Sequence, residues 1–367
     1  MKAVILAGGE GTRLRPLTCN IPKVMVPVLN EPLVGRIMNY LISHGVDSSV
    51  LTVSYLPEVI EAHFGSGEGT GIKISYVLEE KPLGTAGAVK NVEKDLNETF
   101  LVLNGDILTD LDLEAMLRFH REKEAQITFF LTPVENPSAF GVVETDSDGR
   151  VLRFLEKPAP GETSSNWING GIYIIEPQVL THAPSGEFYM FETDLFPKLL
   201  GMGIPMYGYQ ARPYWIDLGT PRSYLKVHQD LLTENSIISW KESTDESYER
   251  SWIHPSAKVV GPVLLGTGCS IGPGALVRGP SVLGPGCVVG KDVTILESIL
   301  WENVIVEFGA YLEECIIGDG VYIGEGARIG EGCILGDNIV ISKGNHVDDG
   351  VVMWPEKLLE PKTISYH

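Results

Sequence analysis

The chain has 367 residues, with 28 Lys and Arg against 48 Asp and Glu, which gives a formal net charge of -20 at pH 7. This length exceeds the size at which one hydrophobic core keeps growing, so we expect two or three domains. The negative charge disfavours sequence-independent binding to DNA, RNA or anionic membranes. Bound phosphates would therefore need a local basic site and a divalent cation.

The N-terminal apolar run, residues 3–7, is shorter than the core of a signal peptide, and no apolar stretch approaches the roughly 20 residues that span a bilayer. The five cysteines lack CxxC spacing. This pattern favours reduced thiols over a disulfide framework or a zinc site. We therefore expect a soluble, cytoplasmic protein.

In the N-terminal part, short β-branched runs alternate with helical patterns, which predicts an α/β domain with a wound, Rossmann-like sheet. Nucleotide sites in such sheets lie at the carboxyl ends of the strands. The predicted strands are 2–6, 50–54, 72–78 and 100–103, and the predicted helices are 33–44, 57–64, 85–94 and 112–123.

A hexapeptide period dominates the C-terminal part. Aliphatic residues recur every six positions from Ile253 to Ile295 and, after a phase slip, from Ile299 to Val347, with Tyr311 as an exception. This period predicts a parallel β-helix with three short strands per coil, in which the same position of successive coils stacks. We expect a catalytic domain at 1–235, a linker at 236–252, the β-helix at 253–350 and a tail at 351–367.

Four cysteines follow the same rule. Cys269 and Cys287 are separated by three hexapeptides, which is one full coil, and so are Cys315 and Cys333. Because a free cysteine behaves as a small hydrophobic residue, we expect these four to fill stacked positions inside the coils rather than to serve a redox role.

The first strand leads directly into a glycine-rich loop, Gly8-Gly9-Glu10-Gly11-Thr12-Arg13. Glycines allow the backbone to approach a phosphate closely, and Thr12 and Arg13 add a hydroxyl group and a forked cation. The loop is neither a Walker A motif nor a GxGxxG dinucleotide motif. It predicts a phosphate site of another kind.

The chain resembles the sugar-1-phosphate nucleotidyltransferase family, and the resemblance extends over nearly its whole length. The loop with Lys23 resembles the family's triphosphate site, and Leu83-Gly84-Thr85-Ala86 resembles its base-binding segment. The C-terminal part is similar to the left-handed β-helix of several members. The other matching segments are Asn104-Gly105-Asp106, Phe140-Gly141-Val142-Val143, Glu156-Lys157-Pro158, Asn169-Gly170-Gly171 and Trp215-Ile216-Asp217-Leu218-Gly219-Thr220-Pro221.

The resemblance and the chemistry of the side chains together suggest a role for each residue. Arg13 and Lys23 are the expected catalytic cations, and Asp106 and Asp217 are the expected Mg²⁺ ligands. Asp110 and Asp112 are better explained as residues that cap the helix 112–123. The expected sugar-phosphate site comprises Gly141, Glu156, Lys157, Asn169 and Gly170, and the expected nucleotide site comprises Leu6, Ala7, Gly8, Gly9, Gly11, Thr12, Arg13, Glu79, Gly84, Thr85 and Asp106.

Glu79 bears on the identity of the base. Relatives that use uracil or thymine carry a glutamine at this position, whereas a carboxylate only accepts hydrogen bonds and matches the adjacent N1–H and N2–H₂ donors of guanine. GTP is therefore favoured, and the surrounding segment is similar to family members that use mannose 1-phosphate. Gly170 departs from the alanine of many guanylyl-transferring relatives, so the choice of sugar rests on the resemblance.

Several alternatives remain open. The substrates could instead be glucose 1-phosphate or N-acetylglucosamine 1-phosphate with UTP, dTTP or ATP, or the chain could be a catalytically silent subunit that binds a nucleotide sugar. An acyltransferase role for the β-helix is disfavoured, because only His254, His346 and His367 are available there as a base. We expect the β-helix to support a homo-oligomer instead.

Overall fold

A computed structural model of the chain describes residues 1–233 and 250–361. Most of the predicted linker and the end of the predicted tail, from position 362 onward, lie outside the described residues. The chain divides into two compact units. The first contains Met1–Glu10 and Leu33–Asp217, and the second contains Gly11–Pro32 and the chain from Leu218 onward. The segment 11–32 thus groups with the C-terminal part of the chain, although it lies within the predicted catalytic domain.

The strands up to Asp217 are β1 to β13, of which β2 and β3 belong to the second unit. Their bounds are β1 Lys2–Leu6, β2 Pro27–Val28, β3 Glu31–Pro32, β4 Ser48–Val53, β5 Lys73–Leu78, β6 Phe100–Asn104, β7 Ile107–Thr109, β8 Ile127–Pro133, β9 Gly141–Thr145, β10 Val151–Glu156, β11 Trp167–Ile175, β12 Met206–Gln210 and β13 Trp215–Asp217.

A nine-stranded sheet organises the first unit, with the order β10-β9-β11-β6-β1-β4-β5; in addition, β8 pairs with β11, and β12 pairs with β8. Strand β1 runs parallel to β4 and β6, and β4 runs parallel to β5. Strands β7 and β13 form a separate antiparallel pair. The parallel strands therefore end at a common edge, as predicted for a wound nucleotide-binding sheet.

The four predicted helices are present within a few residues, and the structure adds two helices that were not predicted, Phe196–Gly201 and Pro221–Leu232. The starts of two helices have local causes: α4, Leu113–Glu122, begins after Asp112, whose side chain accepts a hydrogen bond from the backbone N–H of Ala115, and α6, Pro221–Leu232, begins with a capping box formed by Thr220 and Ser223. The bounds are α1 Leu33–Ser43, α2 Pro57–Phe64, α3 Gly84–Asn91, α4 Leu113–Glu122, α5 Phe196–Gly201 and α6 Pro221–Leu232.

The core of the first unit packs between the sheet and its helices. A cluster of rings that includes Phe129, Tyr173, Phe191 and Phe196 is fully buried, with centroid distances between 4.6 and 5.8 Å. Aromatic side chains of this size contribute much of the apolar area that stabilises a core. Among the helices of residues 1–233 and 250–361, none has the length and apolar character that a membrane crossing requires.

The second unit contains the left-handed β-helix, with its strands in three parallel sheets. Every third strand pairs with its counterpart one coil later, as the hexapeptide period predicts. The strands continue to Leu359 and so extend into the predicted tail. Their bounds are β14 Trp252–Ile253, β15 Lys258–Val260, β16 Val263–Leu265, β17 Ser270–Ile271, β18 Leu276–Arg278, β19 Ser281–Leu283, β20 Val288–Val289, β21 Thr294–Leu296, β22 Ile299–Leu300, β23 Ile305–Val306, β24 Tyr311–Glu313, β25 Ile316–Ile317, β26 Tyr322–Ile323, β27 Arg328–Ile329, β28 Ile334–Leu335, β29 Val340–Ile341, β30 His346–Val347, β31 Val352–Met353 and β32 Leu358–Leu359.

The predicted phase of the middle coils was wrong by one position. Leu300 pairs with Leu283 on one side and with Ile317 on the other, so each of these two coils is one position shorter than three hexapeptides. The residue that points inward is therefore Val306, which is 1% exposed, whereas its predicted counterpart Ile305 is 38% exposed. Two shortened turns, one before Leu300 and one before Ile317, account for the shift. They also explain why Tyr311 interrupts the predicted pattern.

The four cysteines of the β-helix are buried, and they are free thiols. Cys269 Sγ lies 3.2 Å from the carbonyl oxygen of Gly284, and Cys287 Sγ lies 3.0 Å from that of Trp301. Burial raises the pKa of Cys315 to about 12. These thiols pack as small apolar side chains inside the coils, in agreement with the expected structural role.

Candidate active site

The common edge of the parallel strands carries the predicted phosphate loop. The chain leaves β1 toward Gly8, β4 into Ser54 and β5 into Glu79. Ser54 Oγ donates a hydrogen bond to the carbonyl oxygen of Gly8 at 2.5 Å, and a Cβ atom at Gly8 would lie 3.2 Å from Glu79 Oε1. The edge therefore places the start of the loop directly beside a carboxylate, with little room for a side chain at Gly8.

The remainder of the loop belongs to the second unit, because the boundary between the units falls after Glu10. Gly11 has a φ of 63°, and a Cβ atom there would lie 2.9 Å from Cβ of Lys23. Thr18 Oγ1 donates to the carbonyl oxygen of Gly11 at 2.9 Å. Lys23 is only 8% exposed. Glycine is therefore required at position 11 by its backbone conformation and by its close approach to Lys23.

Glu79 closes the turn that leads into α3. Its Oε2 accepts a hydrogen bond from the backbone N–H of Leu83 at 3.0 Å. Partial burial raises the pKa of the Glu79 carboxyl group, and this hydrogen bond opposes the rise. The first residues of α3 are Gly84 and Thr85. Three predicted nucleotide-binding residues of the first unit thus lie on one short stretch of the sheet edge.

A partly buried chain of hydrogen bonds connects Thr85 with Asn169. Thr85 Oγ1 donates to Glu192 Oε2 at 3.0 Å, and the hydroxyl group of Tyr173 donates to Glu192 Oε1 at 3.4 Å. Asn169 Nδ2 donates to the Tyr173 hydroxyl at 2.7 Å. Burial raises the pKa of both Glu192 and Tyr173. The predicted base-binding and sugar-binding segments are therefore joined by side chains in fixed positions.

Glu192 and Tyr173 were missed from the sequence. A weak signal was present for Glu192, because two acidic residues, Glu192 and Asp194, stand between the apolar segments 189–191 and 195–196. A buried carboxyl group needs hydrogen-bond donors, which marks such a residue as part of a polar network. Tyr173 carried no such signal, since it lies on the buried strand β11 among apolar residues that tolerate an aromatic ring.

The predicted sugar-phosphate residues lie on three adjoining strands. Gly141 pairs with Glu156 across β9 and β10, and a Cβ atom at Gly141 would lie 2.8 Å from Glu156 Oε2. Lys157 follows with a φ of 47°, which is unusual for a residue with a side chain. Its Nζ lies 3.7 Å from Glu156 Oε1, and its side chain is 68% exposed. The arrangement presents a cation and a carboxylate beside a position without a side chain.

The glycine that departs from the pattern of guanylyl-transferring relatives has a local steric reason. A Cβ atom at Gly170 would collide with the ring of Phe130. The carbonyl oxygen of Gly170 also accepts a hydrogen bond from Trp215 Nε1 at 3.0 Å. An alanine at this position would require the Phe130 ring or the β11 backbone to shift, so the substitution is coupled to local packing.

The two predicted metal ligands adjoin the paired strands β7 and β13, with Asp106 in the turn before β7. Asp217 ends β13, and its register partner on β7 is Ile107, the residue that follows Asp106. Beside them, Asn104 Oδ1 is buried and has no hydrogen-bond partner among the described residues. Mg²⁺ prefers oxygen ligands and retains several waters, so two carboxylates are sufficient protein ligands. This donor set fits Mg²⁺, although residues 1–233 and 250–361 contain no group of three or more potential metal-binding side chains.

Of the two neighbouring aspartates, Asp112 caps the helix as expected, whereas Asp110 holds a strand end instead. Asp112 Oδ1 accepts the backbone N–H of Ala115 at 2.9 Å and caps α4. Asp110 Oδ1 accepts the backbone N–H of Tyr214 at 2.7 Å and joins the strand pair near its end. Their acceptor atoms are thus occupied by backbone donors, in contrast to the orphaned oxygen of Asn104.

The predicted site residues fall into both units. Leu6, Ala7, Gly8 and Gly9 lie in the first unit with Glu79, Gly84, Thr85, Asp106, Gly141, Glu156, Lys157, Asn169, Gly170 and Asp217. Gly11, Thr12, Arg13 and Lys23 lie in the second. Within the first unit, the residues predicted for nucleotide, sugar and metal come from several strand ends, from the start of α3 (Gly84 and Thr85) and from the interior of β11 (Asn169 and Gly170).

Comparison with known proteins identifies the families that the two parts of the chain match. The nucleotidyl transferase family model matches residues 2–234, and the model of the EIF2B subunit epsilon LbH domain, a left-handed β-helix, matches residues 247–347. A mannose-1-phosphate guanylyltransferase of Mycobacterium tuberculosis is 38% identical over 74% of this chain and 76% of its own length. A UTP–glucose-1-phosphate uridylyltransferase of Synechocystis is 37% identical over 74% of this chain and 80% of its own length.

A solved structure is similar to about the first two thirds of the chain. The crystal structure of HddC from Yersinia pseudotuberculosis, complexed with GMP-PN, has a TM-score of 0.53 and is 30% identical. The match covers 62% of this chain and 97% of HddC. These matches show that the chain belongs to the nucleotidyl transferase family, among its sugar-1-phosphate nucleotidyltransferases.

Proposed function

We propose that the protein transfers the guanylyl group of GTP to mannose 1-phosphate and releases pyrophosphate. The observation that carries the choice of base is the position of Glu79, whose carboxylate lies beside Gly8 and is held by the backbone N–H of Leu83. An ionised carboxylate offers only acceptors, which suits the two adjacent donors on the edge of guanine. The mannose-specific relative supports the choice of sugar.

The reaction needs accurate positioning and charge neutralisation. A phosphate oxygen of the sugar phosphate attacks the α-phosphorus of the triphosphate in line. The bond from that phosphorus to the oxygen that bridges the α- and β-phosphates breaks, and this oxygen leaves as a terminal oxygen of pyrophosphate. In our proposal, Arg13 and Lys23 stabilise the leaving pyrophosphate. The backbone of Leu6, Ala7, Gly8, Gly9, Gly11 and Thr12 surrounds the triphosphate, while Gly84 and Thr85 adjoin the base.

The sugar phosphate is assigned to the pocket formed by β9, β10 and β11. Lys157 supplies a cation for its phosphate, and Glu156 and Asn169 supply acceptors and donors for its hydroxyl groups. Gly141 leaves the space beside Glu156 Oε2 free of a side chain, and Gly170 leaves room for the ring of Phe130. The Tyr173 hydroxyl holds the Asn169 amide group in one orientation, which is what discrimination among sugar hydroxyls requires.

Mg²⁺ is the cofactor that we propose for the pair Asp106 and Asp217. When bound, it would neutralise charge on the phosphate oxygens of the two anionic substrates. The orphaned Oδ1 of Asn104 supports the placement, because it leaves an unused acceptor beside this pair. A nucleoside triphosphate substrate also supports our proposal of a cytoplasmic location.

We further propose that the protein is a homo-oligomer formed through the β-helix. One sheet of the β-helix has an outward register row in which Trp252, Val288, Ile305 and Leu358 are 38–59% exposed; the other members of the row are Ser270, Tyr322 and Val340. Exposed apolar ladders of this kind mark interaction surfaces. Light scattering should give a mass above 40.1 kDa, and Ile305→Glu should lower it; a monomeric wild-type protein would refute this part.

The reaction itself is tested by a panel of nucleoside triphosphates against sugar 1-phosphates, with pyrophosphate release as the signal. We expect the highest kcat/KM for GTP with mannose 1-phosphate. Faster turnover with UTP and glucose 1-phosphate would instead favour the activity named for the Synechocystis relative. Binding of GDP-mannose without pyrophosphate release from any pair would indicate a silent subunit.

A further inference from the structure

The segment 11–32, which carries Arg13 and Lys23, is attached to the β-helix at several points within the second unit. Asn20 Nδ2 donates to Asp337 Oδ2 at 2.8 Å, and Asn30 Nδ2 donates to the carbonyl oxygen of Leu283 at 3.1 Å. Both acceptors belong to the coils. The β-helix therefore provides fixed hydrogen-bond acceptors to a segment from the opposite end of the chain.

Helix α6 provides another attachment. The Tyr224 hydroxyl donates to the carbonyl oxygen of Pro27 and accepts a hydrogen bond from Trp301 Nε1 at 2.9 Å. The backbone N–H of Leu29 lies 3.2 Å from His228 Nε2. These contacts hold the end of the segment, after Lys23, whereas Asn20 holds it between Arg13 and Lys23.

Asp337 is unusual among the residues that hold the turns of the coils together. Its Oδ1 accepts the backbone N–H of Asp319, one coil earlier, at 3.1 Å, and its Oδ2 accepts from Asn20. It is 5% exposed. Asp349 makes the equivalent turn contact to the backbone N–H of Glu331 at 3.0 Å but is exposed. A buried carboxylate is costly unless its oxygens receive hydrogen bonds, and Asn20 provides one.

Asn20 is connected through local contacts to residues that bind phosphate in the proposed reaction. Asn20 lies between Lys23 and Thr18, whose hydroxyl group donates to the carbonyl oxygen of Gly11. Gly11 in turn is packed against the Lys23 side chain. A shift at Asn20 would therefore move both the end of the glycine-rich loop and the buried stem of Lys23.

We propose that Asp337 is a positioning residue for the nucleotide site: through its hydrogen bond to Asn20, the β-helix holds the segment that carries Lys23 in its phosphate-binding position. This inference rests on the proposed function, in which Lys23 contacts the triphosphate. It assigns to the β-helix a direct part in binding GTP, in addition to the proposed assembly role.

The experiment exchanges the side-chain types of Asn20 and Asp337. Asn20→Asp places a second carboxylate against Asp337, and the repulsion should displace the segment. We expect the KM for GTP to rise about tenfold while the KM for mannose 1-phosphate changes by less than about twofold. Adding Asp337→Asn restores one donor and one acceptor across the pair, and the double variant should recover a KM for GTP within about threefold of wild type.

The matched control is Asp349→Asn, which changes the equivalent turn contact at an exposed position and should leave both KM values unchanged. Asn20→Ala, which removes the hydrogen bond without adding charge, covers the case in which Asn20→Asp does not fold. Equal increases in both KM values, a loss of thermal stability with unchanged KM values, or no rescue by Asp337→Asn would overturn the inference. No turnover by the wild type with any substrate pair would instead refute the proposed function.

Discussion

The two units of the protein use regularity in opposite ways. In the first unit, each strand of the sheet is followed by a different loop, and the residues proposed for chemistry stand where the strands end. In the β-helix, nearly every coil repeats the same inward aliphatic position. The residues proposed to have a function there are those that depart from this repeat. Function in the first unit follows from topology, whereas in the second it follows from local exceptions such as Asp337.

The largest effect is expected at the strand ends. Asp106→Asn should lower kcat by about 10²–10³-fold with little change in thermal stability, because a charged contact to the transition state is lost. Pyrophosphate release under saturating substrates measures it. Asp110→Asn is the matched control, since it keeps an oxygen acceptor for the backbone N–H of Tyr214. Near-normal turnover by Asp106→Asn would remove this residue from the proposed metal site.

The next largest effect is on stability, and it compares an inward with an outward side chain in a shortened coil. Leu312 is fully buried, so Leu312→Ala should lower the free energy of unfolding by about 3 kcal/mol. Tyr311 stands on the outer surface beside Arg328, and Tyr311→Ala should cost about 1 kcal/mol or less. Thermal and denaturant unfolding of both variants provide the comparison. Similar losses in the two would contradict the shortened register.

The sequence predicted different features of the two units, because one has varied loops and the other a repeat. In the first unit, periodicity and punctuation by glycine and proline located α1 to α4 and the strands β1, β4, β5 and β6 within a few residues, and the motifs supplied the candidate site residues. The strands β7 to β13 and helix α5 were not predicted. These patterns did not reveal that Tyr173 and Glu192 connect Thr85 with Asn169, because residue types that suit a buried strand or helix carry no record of their partners.

In the β-helix, the hexapeptide period predicted the architecture but not the phase of the middle coils. Ile299 and Ile305 are as aliphatic as Leu300 and Val306, so composition alone gave no reason to prefer one series. The choice depends on where a turn is shortened, which is a property of stacked coils rather than of any single hexapeptide. The contact between Asn20 and Asp337 was likewise beyond reach, because the partners lie near opposite ends of the chain and no local pattern links them.

The third prediction concerns the specificity of the sheet edge. Glu79→Gln should lower kcat/KM for GTP about tenfold and raise the relative activity with UTP, because an amide group can both donate to and accept from a pyrimidine. Glutamine can still accept the backbone N–H of Leu83, so the turn should persist. The exposed neighbour, altered by Glu80→Gln, serves as the control. An unchanged ratio of GTP to UTP turnover would separate Glu79 from base recognition.

The smallest effect is a dependence of stability on pH that originates in the β-helix. Burial raises the pKa of Asp319 from 3.8 to about 6, and the nearby charge of Asp337 adds to the rise. The folded protein therefore retains a proton that the unfolded chain releases between pH 3.8 and about 6. The contribution of Asp319 to stability is consequently lost as the pH rises through this window.

Asp319→Asn cannot ionise, yet it keeps an oxygen acceptor for the backbone N–H of Glu302. The variant should be more stable than wild type at pH 7 by about 1 kcal/mol, after allowance for partial exposure, and should show no gain at pH 4. Thermal unfolding at the two pH values measures the difference, with Asp349→Asn as an exposed counterpart. Equal stabilisation at both pH values would mean that packing, rather than ionisation, controls the effect. Asp319 and Asp337 would then not make the stability of the β-helix depend on pH.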